Sequence, residues 1–324
     1  MVRNKLARLS IVVAIPVAYA LLMRLASGRI IENLLAVMSV SFLVGVPFVM
    51  GVTTISMSDL EKVQRLRYRI FMPWLPVVIF FVLTILFAME GWACWIMALP
   101  IWLLAATLGG LTAGYYKLKR ARRDGRLKVS LIFLLPLVLG PVERLIPVSS
   151  TRYEAYTSID IHAGDSSIWA NVVRVRTIPA SADRGTVTRF LGFPRPVRAE
   201  LDYAGVGGSR KAVFTGGLVF DEVVKEYEPR RQMCFSIRAN PHDIPSTTMD
   251  EHIVIGGDYF DVLDGTYRLG QLNDTTCRLH LFSHFELKTD FNFYAGWWAG
   301  WIMRDIQNNI LQVIKRRAES PSAD

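Results

Sequence analysis

Residues 205–223 read GVGGSRKAVFTGGLVFDEV, and the fold turns on what those glycines do. A dinucleotide fingerprint needs its last glycine where Arg210 stands, and it needs a helix after the loop. SRKAVF alternates like a strand instead, and no GKS or GKT follows. The glycines are therefore read as positive-φ positions in two hairpin turns. Arg210, Phe214, Phe220 and Glu222 alternate along the strands around those turns.

The same grammar runs outward on both sides. RYEAYTSIDIHA (152–163) alternates as a first strand, and Asp165 or Ser166 can cap a short helix carrying Ile168, Trp169 and Val172. A second strand follows the prolines near 196. Turn signals recur at Glu228–Arg230, Leu263–Gly265 and Asn273–Asp274, separating LVFDEVVKEY, QMCFSIRAN, TYRLGQL and TCRLHLFSHFELK. This spacing predicts an antiparallel meander. Beyond it the period changes. Tyr294, Trp297, Trp298, Trp301, Ile302, Ile306, Ile310 and Val313 recur at helical spacing, and Lys315, Arg316 and Arg317 suit a helix C-terminus. The second half of this helix is too polar to cross a membrane, so its apolar face is expected to pack on the sheet.

Upstream of 149 the composition is different. The chain has 324 residues, 52% of them hydrophobic, and a net charge of +9. Residues 1–128 hold 16 Lys/Arg against 5 Asp/Glu, while the remainder holds 21 against 23. Five apolar runs lie near 6–23, 34–55, 70–89, 92–115 and 129–146, and a span needs about 20 apolar residues. About five transmembrane helices are therefore expected over 1–148, with a soluble domain over 149–318 and a disordered tail over 319–324. The fifth run is short and spans only if PVERLIPV continues it. Basic residues crowd the N-terminus, the loop holding Lys62, Arg65, Arg67 and Arg69, and KLKRARRDGRLK (117–128). That alternation puts those loops in the cytoplasm and, with the fifth run spanning, the C-terminal domain outside it. Basic charge in loops between apolar runs speaks for membrane topology and against nucleic acid. Arg24 and Glu90 sit at span ends, and the spans hold almost no other charge, which favours an anchor over an ion-coupled transporter. TLGGLTAG (107–114) offers small residues for close helix packing.

The order of strand, short helices, antiparallel strands and closing helix resembles the START-like family, also called polyketide cyclase/dehydrase or Bet v 1-like. The stretches that carry the resemblance are IHAGDSSIW (161–169), GVGGSRKAVFTGGLVFDEVVKEYEP (205–229) and WWAGWIMRD (297–305). It covers about Tyr153 to Arg317, with Ala163-Gly164 standing where the family has Ala-Pro. More narrowly, the chain looks like bacterial members with an N-terminal membrane region, which implies an inner-membrane location. The resemblance implies an α+β helix-grip domain, a curved antiparallel sheet wrapped on a long C-terminal helix with a cavity between them. In that fold Trp297, Trp298 and Trp301 are expected to roof the cavity, facing Leu279, Leu281, Ser283 and Phe285 on the last strand. Phe214 and Phe220 are expected opposite. Such a cavity suits a hydrophobic small molecule or a lipid.

Catalytic chemistry has weaker support. Glu222, Tyr267, Glu286 and Asp305 are acid/base candidates by type, and no nucleophile elbow or Ser-His-Asp grouping is visible. Glu222 is read first as a strand carboxylate paired with Arg210 or Arg238. His280 and His284 are four apart on a strand, about 13 Å, which is too far for one metal. Neither a metal nor a cofactor is expected. Cys94, Cys234 and Cys277 form no CxxC pair, and the family fold puts Cys234 and Cys277 on strands that are not neighbours. Three functions follow: a membrane-tethered binding module, a cyclase/dehydratase-like enzyme using the same cavity, or a structural membrane protein whose cavity is filled.

Overall fold

The computed structural model describes residues 2–27, 39–121, 130–143, 145–239 and 259–320. It divides into two compact units, Met1–Val148 and Ser149–Asp324.

The first unit is helical: α1 (Val2–Ser27), α2 (Val46–Met57, entered through a π-helical turn at Ser41–Gly45), α3 (Leu60–Val63), α4 (Leu66–Phe71), α5 (Trp74–Leu86), α6 (Trp92–Ala121) and α7 (Leu135–Glu143). Among the described residues, three stretches are long and apolar enough to cross a membrane: Arg8–Ser27, Leu66–Leu86 and Trp92–Ala121. Ser41–Met57 and Ile132–Glu143 are shorter apolar helices. At 1.5 Å per residue they reach about 25 and 18 Å, short of a hydrocarbon core of about 30 Å. The start of the second expected span (34–38) lies outside the described residues, as do Arg144 and the tail beyond Ser320.

Helix α2 is buried along most of its length, and both its ends are held by charges from other helices. Glu143 accepts from the Val40 and Ser41 amides and the Ser41 hydroxyl at its entry. Lys117 donates to the Ile55, Ser56 and Ser58 carbonyls at its exit. An anion at the N-terminus and a cation at the C-terminus both complement the helix dipole. The glycines of TLGGLTAG allow α6 to lie against α2. A Cβ at Gly109 would meet the Phe48 carbonyl oxygen at 2.1 Å, and one at Gly51 the Ala106 oxygen at 2.0 Å. Arg24 and Glu90 form a buried ion pair at 2.5 Å, so the two span-end charges neutralise each other.

The second unit is a seven-stranded antiparallel sheet with a long helix. Its strands are β1 (Thr151–Ile161), β2 (Pro196–Leu201), β3 (Ser209–Phe214), β4 (Val219–Glu228), β5 (Gln232–Ala239), β6 (Phe260–Asn273) and β7 (Thr276–Leu287), in spatial order β1-β7-β6-β5-β4-β3-β2. Between β1 and β2 lie α8 (Asp165–Val173) and α9 (Val187–Phe190); α10 (Asn292–Glu319) closes the chain and packs on β1 and β7. This is the helix-grip arrangement. Of the turn glycines, Gly207, Gly216 and Gly217 have positive φ, while Gly205 and Gly208 do not. Leu263–Gly265 does not. It is a bulge inside β6, between Val262 and Asp264, and no turn forms there. Gly265 at that point lies under the Phe235 ring, where a Cβ would come within 2.5 Å.

Candidate functional site

Strand alternation decides what the concave face presents. On β7, Cys277, Leu279, Leu281, Ser283, Phe285 and Leu287 are buried and point inward. His280 and His284 occupy the alternate, outward face, where Tyr156 meets His280 and Glu154 and Asp264 meet His284. Among the described residues no group of acidic, His or Cys side chains could hold a metal ion. Cys234 on β5 and Cys277 on β7 have β6 between them.

The inward set falls into three packed groups. Leu281 joins Val224, Met233, Phe235, Leu279 and Leu311. Phe285 joins Ala155 and Val262, with Tyr153 and Met303 beside them. Phe220 joins Ala199, Ala212 and Val313, and Phe214 lies against it edge-on at 5.1 Å. Ser283 is not bare: its hydroxyl accepts from Gln307 at 2.9 Å. Gln307 also donates to the Ala155 carbonyl at 3.0 Å and accepts from Thr157 at 3.1 Å. This buried bracket ties α10 to β1 and β7. The sequence reading missed it because it followed only the apolar residues of the helix.

One cluster of charge stands in this apolar surround. Arg210 on β3 and Glu222 on β4 are direct cross-strand partners, with Nη1 to Oε2 at 2.9 Å and side chains only 3% and 7% exposed. The Arg210 guanidinium carbon lies 5.2 Å from the Phe235 ring centre and 5.6 Å from that of Tyr267. Burial pushes the Glu222 carboxyl up, and Arg210 pulls it back. Burial likewise raises the Tyr267 phenol, so it stays protonated. Desolvation works against the Arg210 charge, but Glu222 and Tyr267 outweigh it and hold the guanidinium firmly cationic. Arg210 Nε is buried without an acceptor among the described residues.

Other expected site residues lie elsewhere. Asp305 faces away from the sheet. Its carboxylate accepts from the amides and hydroxyls of Thr186 and Thr188, at 2.7–3.2 Å, and so pins the segment leading into α9. Burial alone would raise this carboxyl, but those four hydrogen bonds hold it below the usual range. Glu286 is on the outward face of β7 and meets the Ser150 hydroxyl. Trp297 and Trp301 are exposed, and Trp298 is half-buried beside them. The sheet-facing side of α10 carries Gly296, Gly300, Met303, Gln307 and Leu311 instead. Tyr153 forces this: a Cβ at Gly296 would lie 2.6 Å from its ring.

No known family pattern matches the sequence, and no curated relative does. Solved structures do resemble it. Norcoclaurine synthase from Thalictrum flavum is 11% identical, with a TM-score of 0.35 over 55% of this chain and 99% of that one. A protein from Nitrosospira multiformis is 15% identical, with a TM-score of 0.32 over 52% of this chain and 97% of that one. A protein from Chromobacterium violaceum is 15% identical, with a TM-score of 0.32 over 52% of this chain and 98% of that one. The fold assignment rests on strand order and register, and these likenesses concern fold alone.

Proposed function

We propose that this is a membrane-anchored binding module whose START-like domain holds an apolar small molecule or lipid between the sheet and α10. The observation that carries the reading is the buried Arg210–Glu222–Tyr267 cluster. It stands in an apolar surround, with one guanidinium N–H that has no acceptor among the described residues. A few convergent polar groups in an apolar site fix the orientation of a ligand that is otherwise held by burial. The ligand is thus an apolar body with one oxygen acceptor. Arg210 donates to that oxygen, Glu222 keeps Arg210 charged and oriented, and the three helices of spanning length keep the domain at a bilayer.

The test is native mass spectrometry of the full chain released from lipid nanodiscs prepared with a lipid extract. Wild type is expected to carry a mass adduct that the Arg210→Met/Glu222→Leu pair loses. A wild-type chain that emerges bare in every preparation refutes the binding reading.

A second reading is favoured by the same cluster. A carboxylate and a protonated phenol both meet Arg210, which is the set that a cyclase or dehydratase would use for proton transfer. Tyr267→Phe separates the two readings: a binding module keeps its adduct, while an enzyme accumulates unconverted substrate. The loop charges support a non-cytoplasmic domain. Cysteine at Ser320, in a background without the three native cysteines, should label in intact cells; labelling only after the cells are opened refutes this placement.

A further inference from the structure

Helix α10 has a second face, turned away from the sheet. Phe293, Trp297 and Trp301 lie one turn apart on it and are 77%, 56% and 43% exposed. The tryptophan rings pack on one another, with centroids 5.0–5.7 Å apart, so they form a single patch. Phe190, on the neighbouring α9, is exposed as well. A contiguous aromatic patch of this kind marks an interaction surface, because scattered single residues are the norm on a solvated protein. The face then changes character. Arg304 and Asn308 continue the same side, and Arg184, Asn308, Asn309, Gln312 and Arg316 line an adjoining pocket of about 510 Å³. Asp305 also lines it, with both its oxygens accepting from Thr186 and Thr188, so the two arginines leave the pocket with a net positive charge of one.

We propose that this face of α10 is a docking surface for the phosphate-bearing interface of a lipid bilayer. Aromatic rings at one end and arginines at the other match the two layers of that interface. Trp and Phe enter the boundary between headgroups and acyl chains, and guanidinium groups pair with phosphate oxygens. At 1.5 Å per residue the stripe from Phe293 to Gln312 is about 28 Å long, so a modest tilt of the helix sets its aromatic end at the acyl boundary and its basic end among the phosphates. The occupant is a bilayer because the same chain carries three helices of spanning length, and the domain begins directly after that unit. The inference rests on the membrane-anchored reading in this respect. Such a contact would add to the anchor, because two modest membrane signals together hold far better than one.

The experiment uses the full chain in nanodiscs, comparing wild type with the Trp297→Phe/Trp301→Phe pair, whose side chains are exposed and whose fold is checked by circular dichroism. The difference between their tryptophan emissions isolates the two rings. Bromine-labelled acyl chains should reduce that difference signal about twofold, and acrylamide should quench it about half as strongly as in detergent. Arg184→Gln/Arg304→Gln should abolish the added quenching seen when phosphatidylglycerol joins phosphatidylcholine. Free quenching by acrylamide with none from brominated lipid would overturn the docking surface and leave a protein partner as its occupant. Alkaline carbonate separates this from failure of the anchor. A chain stripped from membranes has lost the anchor reading, and brominated vesicles added to it still decide the surface.

Discussion

Replacing Glu222 with glutamine leaves the Arg210 guanidinium buried beside a neutral amide. Breaking a buried ion pair by removing one partner costs about 3–5 kcal/mol, because the remaining charge is uncompensated. Here the loss should sit at the lower end. The Phe235 and Tyr267 rings lie 5.2 and 5.6 Å from the guanidinium carbon and keep part of the charge stabilised, by about 0.5–2 kcal/mol each. A cost of about 3 kcal/mol lowers the melting temperature of a unit this size by roughly 6–12 °C. The double replacement Arg210→Met/Glu222→Leu removes both charges and keeps the volume, so it should melt within a few degrees of wild type or above it. Hydrogen exchange of the full chain in nanodiscs, read on peptides covering β3 to β5, assigns the melt to this unit. Two results would refute the reasoning. One is a Glu222→Gln chain that melts within about 2 °C of wild type. The other is a double variant that falls as far as the single one. The cycle also separates stability from function, since the double variant should fold and yet lose its ligand.

Acid should loosen α9 from α10. The Asp305 carboxyl lies below its ordinary value, so it contributes stability above about pH 4 and loses it as pH falls through the folded value. Asp305→Asn should flatten the melting-temperature curve in that window; parallel curves for the two chains would sink the assignment. Gly109→Val should collapse the yield of folded chain in size-exclusion chromatography, because its Cβ would lie 2.1 Å from a backbone oxygen that cannot step aside. Wild-type yield from that variant would show that α2 and α6 do not touch there. Gln307→Leu should cost about 1–3 kcal/mol in a denaturant melt, since buried groups on β1 and β7 lose their partner. An unchanged midpoint would mean that water or another group already satisfies them.

The turn glycines and the strand alternation were legible because they are local. Gly207 and Gly216 need positive φ whatever surrounds them, and period two puts Arg210 and Glu222 on the same face. The bulge at Leu263 was not legible: a glycine two residues on looks like a turn until one sees that it makes room for the Phe235 ring. The two faces of α10 are hard to rank from sequence for a related reason. Its residues form two stripes, one of bulky aromatics and one of Ala295, Gly296, Ala299 and Gly300. Hydropathy favours the first stripe, but the Tyr153 ring on β1 leaves space only for the second. Arg24 and Glu90 read as separate span ends, and nothing local in the sequence tells that they meet.

The strand order has a consequence for how the chain is made. Among the described residues β1 is the first strand to leave the ribosome, and its one neighbour in the sheet is β7, the last. At ordinary rates of synthesis Thr151 waits on the order of ten seconds for Leu287 to exist. Until then Ala155 and Ile161 have no neighbouring strand to pair with, and the helix that packs on β1 is still unmade. The domain therefore closes at its final step, like a clasp. A message cut short between β1 and β7 yields a chain whose first strand lacks the neighbour it pairs with along its whole length.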